Sequence, residues 1–167
     1  MGLDLILRSP GGIVTATESL IHYVRSMFGS DIRVFVPQLA MSGGTLLALS
    51  GKEIWMGNHS NLEPIDGMLK DDPDKEHKSS AIAKALTNVQ THKQHGRHIH
   101  KEDCKAMGLN IKDLESDDKL QDFVLSVHHA FSVTLSNTPA AKIIENHNGA
   151  AFVKNASAGN VQLRLQQ

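Results

Sequence analysis

Apolar positions along the chain switch between two spacings. "LDLILR", Leu3 to Arg8, is apolar apart from Asp4 and the closing Arg8. Such a run predicts a short strand covered on both faces, as in a parallel sheet, and Pro10 with the two glycines after it stops the strand. Ile13, Ala16, Leu20, Val24 and Met27 then recur every third or fourth position, which predicts a helix capped by Thr15 or Thr17 and ended by Gly29. Ile32 to Val36 returns to a β-branched run. Strand, helix and strand in succession make a βαβ unit, whose crossover is nearly always right-handed.

"VPQLAMSGGTLLALSG", Val36 to Gly51, joins an extended apolar run to an Ala/Leu-rich one through Ser42-Gly43-Gly44. A helix is predicted from Thr45 to Ser50, and a third strand in "KEIWMG". "NHSNLEPIDG" is rich in turn formers, and residues 68–78 read as a charged surface excursion. Further helices are predicted over 79–94, with Ile82, Ala85, Leu86 and Val89 on one face, and over 102–107. A longer one is predicted over 117–135, where Leu120, Val124, Val127, Phe131 and Leu135 are in register. Lys142 to Glu145 reads as resumed helix and 156–167 as a frayed tail. Strands and helices alternate at the front and helices follow at the back, so the class is α/β, with a single domain expected over 1–155.

Composition narrows the partners. Only 4% of residues are aromatic, so Leu, Ile, Val, Ala and Met must build the core. Lys and Arg number 17 against 18 Asp and Glu, a net charge of −1 that gives no general attraction to nucleic acid or an anionic membrane. No run reaches the ~18 apolar residues of a membrane span, and no secretory signal is expected ahead of the first strand. The lone Cys104 excludes an intrachain disulfide. A cytoplasmic protein is the expectation. His92, His95, His98 and His100 stand close together, but no Cys pair or H-E-x-x-H accompanies them and Gly96 interrupts the run. No metal site is expected, and no cofactor.

A parallel sheet concentrates its chemistry beyond the C-terminal ends of its strands. Both glycine corners fall there: Gly11-Gly12 after the first strand and Ser42-Gly43-Gly44 after the second. Ser42 has two readings at such a corner. As a nucleophile it would project above the sheet, beside free N–H groups able to bind an oxyanion. As a structural residue it would be an ordinary helix cap, and Gly43-Gly44 an ordinary turn. Spacing alone does not decide, because Ala40 stands where the G-x-S-x-G elbow of α/β-hydrolases has glycine.

"DLILRSPGG", followed by "VFVPQLAMSGGTLLALSGKEIWMGNHSNLEPID", resembles the Clp-protease/crotonase superfamily, and within it the serine dehydrogenase proteinases, relatives of the Clp proteolytic subunit and of signal peptide peptidase A. This block runs from about Leu3 to Asp66. "HGRHIHKEDCKAMGLNI" and "AAKIIENHNG" are similar, more weakly, to later parts of the family. The resemblance implies a Clp/crotonase-like parallel sheet of ββα and βαβ units with a helical C-terminal part. It further implies a Ser, Asp, His triad, with Ser42 the nucleophile, Asp66 the carboxylate and His95 the base. The chemistry is coherent: a serine hydroxyl needs a neutral imidazole to take its proton and a carboxylate to fix the imidazole tautomer. Gly12 and Gly43 would supply oxyanion N–H groups, with an extended peptide lying beside Gly11 and Gly12. The implied activity is that of a serine peptidase working through an acyl-enzyme on a peptide or protein substrate, in a homo-oligomer. His59 is an alternative base, and Lys84 would serve a Ser-Lys dyad like that of signal peptide peptidases.

The chain departs from the family pattern at several positions. Glu63 stands where the family prefers Gly, Gly43 where it has Ala, and His98 where Pro is usual. The family also carries strands ahead of the S-P-G-G strand, so the domain is expected to be N-terminally incomplete, with an unpaired sheet edge. Two other functions remain open. One is a crotonase-like acyl-CoA enzyme, whose corners would polarise a thioester carbonyl. The other is an inactive, truncated relative serving as an assembly module.

Overall fold

The computed structural model describes residues 2–63 and 98–156. The helix expected over 79–94 and the tail beyond residue 156 lie outside the described residues. The chain divides into two compact units, Met1–Leu125 and Ser126–Gln167.

In the first unit the order is β1 (Leu3–Ile6), α1 (Val14–Phe28), β2 (Ile32–Val36), β3 (Leu39–Ala40), α2 (Gly43–Leu49), β4 (Glu53–Met56) and β5 (Asn61–Leu62). After residue 98 come α3 (Lys101–Ala106), β6 (Ile111–Asp113), a 3-10 turn at Leu114–Ser116 and the start of α4 (Asp118–Asn137). Four strands form one sheet in the order β1-β2-β4-β6, and every neighbouring pair is parallel. β3 and β5 form a separate parallel pair. The alternation read from the sequence is thus an α/β fold with a parallel sheet.

β2 shows why its sequence is so uniformly apolar. Ile32, Val34 and Val36 are fully buried in the main core, together with Leu46, Ala48, Ile54 and Met56. Phe35, on the other face, is buried against Leu114 and Val124 and stacks on Trp55 at 5.9 Å between ring centroids. A strand covered on both faces leaves only Arg33 for solvent; its guanidinium pairs with Asp4 and sits 5.6 Å from the Phe35 ring centroid.

Two expectations about α1 are corrected. Neither Thr15 nor Thr17 caps it: the residue at the cap is Ile13, with no side-chain bond, and the Thr17 hydroxyl donates to the Ile13 carbonyl. Nor does the stripe through Ile13, Leu20 and Met27 pack inward, since those residues are 75%, 42% and 58% exposed. Val24, from that expected stripe, does pack against the core, joined there by Val14, Ile21 and Phe28. Thr17 lies on that same inward stripe, half-buried. α2 also begins earlier than expected, at Gly43, and all but its last residue are buried.

The second unit holds the end of α4 and an antiparallel hairpin of β7 (Ala140–Glu145) and β8 (Ala151–Asn155). The helix expected at Lys142 to Glu145 is therefore a strand. Branched Ile143 and Ile144 favour extended backbone, and "NHNG" supplies the turn. There the Asn146 carboxamide oxygen accepts from the Asn148 and Ala150 N–H groups, and Gly149 takes φ 77°. That Asn-Gly signal outweighs the short apolar run.

Candidate active site

The two glycine corners meet. The chain leaving β1 stays paired with β3: the Ser9 N–H donates to Leu39 O at 3.0 Å and the Met41 N–H to Ser9 O at 3.0 Å. Ser9 folds its own hydroxyl over the next turn, accepting from the Gly11 N–H at 3.1 Å. This side-chain turn around Pro10 sets Gly11 at φ 119°, a conformation open to glycine. A methyl group at Gly11 would stand 3.1 Å from Ser42 Cβ and 3.7 Å from its Oγ. One at Gly43 would stand 3.5 Å from the Gly12 nitrogen. The sequence-predicted residues Gly11, Gly12, Ser42 and Gly43 therefore form one corner.

Ser42 itself has φ 51° and ψ −119°, the sole positive φ of a non-glycine residue among the described residues. Holding a side-chain-bearing residue in such a sparsely populated region costs about 1–3 kcal/mol, and such residues cluster at functional sites. Its side chain makes no capping bond to the helix it precedes. The cap reading of Ser42 thus loses its defining interaction, and its half-buried side chain makes no hydrogen bond among the described residues. Gly12 and Gly43, at the same corner, have N–H groups that donate to no acceptor among the described residues.

Thr45, one turn into α2, anchors this arrangement. Its buried hydroxyl donates to Ala40 O at 2.7 Å and accepts from the Glu63 N–H at 3.1 Å. Glu63 directly follows β5, which runs parallel to β3 with Leu62 beside Ala40. Leu62 also bridges Ile99, exchanging backbone bonds of 3.0 and 2.8 Å. Leu62 is thus paired with Ala40 on one side and Ile99 on the other. Asp66, Lys84 and His95 lie outside the described residues. His98 and His100 flank the bridge and are exposed. His59 is exposed in the turn before β5, whereas Ser42 follows β3, so the parallel register puts them at opposite ends of the pair.

A cluster of perturbed titratable groups lies where β4 and β6 end. Hydrogen bonds from Lys101 and then Lys105 hold the Asp113 carboxyl below its ordinary value. Burial works to raise Glu115, but the Asn58 N–H at 2.6 Å, its own backbone N–H and Lys101 together bring it below the usual range. Lys101, 13% exposed, reaches Asp113 at 2.8 Å and Glu115 at 3.2 Å. With its charges paired internally, this cluster braces the sheet end. Cys104 is fully buried, and burial, then the neighbouring Asp103 charge, pushes its thiol up to about 12, so it stays protonated.

Sequence reasoning missed Ser9, Thr17 and Thr45. Ser9 carried a readable signal, a hydroxyl immediately ahead of a Pro-Gly turn. Thr17 resembled a cap, and Thr45 the start of a helix.

Comparison with known proteins follows from this geometry. A sequence profile described as ClpP-like SDH-type serine proteinase matches residues 1–94. An uncharacterized protein of Methanocaldococcus jannaschii is 40% identical over 67 residues, a stretch that is 40% of this chain and 23% of that protein. The match thus spans less than a quarter of that curated relative. Among solved structures, a mutant of the 1510-N membrane-bound stomatin-specific protease in complex with a substrate peptide is similar over 65% of this chain and 59% of its own. The TM-score there is 0.44 at 15% identity. An enoyl-CoA hydratase from Mycobacterium avium subsp. paratuberculosis K-10 is similar over 75% of this chain and 49% of its own, with TM-score 0.41 and 14% identity. No described helix is long and apolar enough to cross a membrane.

Proposed function

The chain belongs to the family of ClpP-like SDH-type serine proteinases, and we propose that it hydrolyses peptide bonds through an acyl-enzyme on Ser42. The observation that carries the proposal is the backbone of Ser42: a strained residue between strand and helix whose hydroxyl, like the Gly12 and Gly43 N–H groups beside it, has no hydrogen-bond partner among the described residues.

In the proposed reaction Ser42 Oγ attacks the scissile carbonyl while its proton passes to the base. His95 takes that role and Asp66 fixes its tautomer, as the family resemblance implies. The carbonyl oxygen, now an oxyanion, is held by the Gly12 and Gly43 N–H groups; each such donor typically contributes ~10²–10³ in rate. Protonation of the leaving amine by the base frees the first product. Water, activated by the same base, then releases the acyl group and restores Ser42. Lys84 is the alternative base, in a Ser-Lys dyad. His59 is disfavoured by the β3–β5 register.

A fluorophosphonate probe tests this, because it phosphonylates only a serine activated by a base. The protein should take the label, and Ser42→Ala should lose it while keeping its far-UV circular dichroism. A label that survives in Ser42→Ala, or a folded protein that takes none, overturns the proposal.

A further inference from the structure

We propose that Thr17 is a positioning residue of this site, its hydroxyl acting as the spacer that sets Gly12 and Gly43 at their working separation. The proposal rests on the peptidase reading of Ser42, and it concerns a residue on α1 that no part of the triad chemistry requires.

Thr17 Oγ1 packs against Gly43 and faces the Gly12 corner from farther off. A methyl group at Gly43 would fall 2.6 Å from this oxygen, closer than side-chain carbons approach anything, and one at Gly12 would fall 3.9 Å from it. The hydroxyl is not free to swing away, since it donates to Ile13 O at 3.1 Å in the first turn of α1. Ile13 immediately follows Gly12, so the same bond ties the hydroxyl to the peptide chain of the oxyanion corner. α1 itself is anchored from below by Val14, Ile21, Val24 and Phe28 in the main core. One oxygen atom, fixed on a helix, thus packs against Gly43 at the point where the Gly12 carbonyl also approaches, 3.3 Å from where a Gly43 methyl would stand.

That contact also accounts for Gly43, where the resembling family has Ala. The space an alanine methyl would occupy is here filled by Thr17 Oγ1. Hydroxyl and glycine are complementary parts of one packing solution. A threonine bonded back to a carbonyl four residues earlier is common in helices and by itself signifies nothing. The contact with Gly43 is what distinguishes this one.

The test uses the whole chain, fluorophosphonate labelling rate and, on an ester substrate, kcat and KM, all compared at equal folded fraction. Thr17→Val keeps the shape of the side chain and removes the hydroxyl; it should lower labelling and kcat roughly ten- to a hundredfold, the scale of misplacing a catalytic group by about 1 Å. KM should change little. Thr17→Ser, which restores the oxygen, should recover most of that loss. Gly43→Ala should be similarly impaired, and Thr17→Ala/Gly43→Ala should label faster than Gly43→Ala alone, because the methyl then enters the space the hydroxyl vacates. Losses that simply add in the double variant overturn the spacer role, as does a Thr17→Val protein that labels like the unaltered chain. If the unaltered chain takes no label at Ser42, the peptidase reading falls first and the positioning role falls with it.

Discussion

Gly11→Ala separates backbone strain from damage to the site. Gly11 sits at φ 119°, and an alanine there would be held at roughly 1–3 kcal/mol above its relaxed conformations. For a chain of this length each kcal/mol lowers Tm by about 2–4 °C, so a fall of roughly 2–12 °C is expected, within what an ordinary domain tolerates. The added methyl would also press on Ser42, 3.1 Å from Cβ and 3.4 Å from the Met41 carbonyl oxygen. Gly29→Ala supplies the control. Gly29 is likewise at positive φ, 60°, but a methyl there meets nothing within 4 Å. Both variants should lose comparable thermal stability by scanning fluorimetry. Only Gly11→Ala should also lose labelling, by about tenfold or more at equal folded fraction, the consequence expected of shifting a nucleophile. Equal labelling of the two variants would refute the claim that Gly11 is a glycine because Ser42 needs the space.

Two further predictions concern what holds the site up. Thr45→Val should destabilise by about 1–3 kcal/mol in urea unfolding, since Ala40 O and the Glu63 N–H would both lose a partner in a buried setting. Asp113→Asn should be less stable than the unaltered protein at neutral pH, by under about 1 kcal/mol because the side chain is 40% exposed and screened. The folded carboxyl lies below its ordinary value, so its contribution is complete above about pH 4 and disappears as pH falls through the folded value. Urea midpoints of the two proteins should therefore draw together as pH falls, and a gap that stays constant from neutral pH into acid would contradict that account.

The front of the chain was legible because its patterns are unambiguous. β2 has the predicted bounds, and both glycine corners occur where strand ends require them. α1 was harder for a physical reason: Ile13, Leu20 and Met27 on one flank and Val14, Ile21 and Phe28 on the other obey the same helical spacing. Periodicity cannot choose between two apolar flanks. Contact with the corner chooses, by drawing Thr17 inward. β3 and β5 are two residues each and too short to show any period, yet they fix the level of Ser42 and of Glu63. In β7 the run "AAKII" suits helix or strand, and the turn after it decides. At the site, Ser42 could be singled out by motif as a candidate nucleophile, whereas its uncapped, strained backbone could not.

That strained backbone bears on which residue suits position 42. At φ 51° glycine is the residue stability alone would select for position 42, because it relaxes there and serine does not. Serine at this position is therefore costly to the fold, a cost that the proposed nucleophilic role would account for.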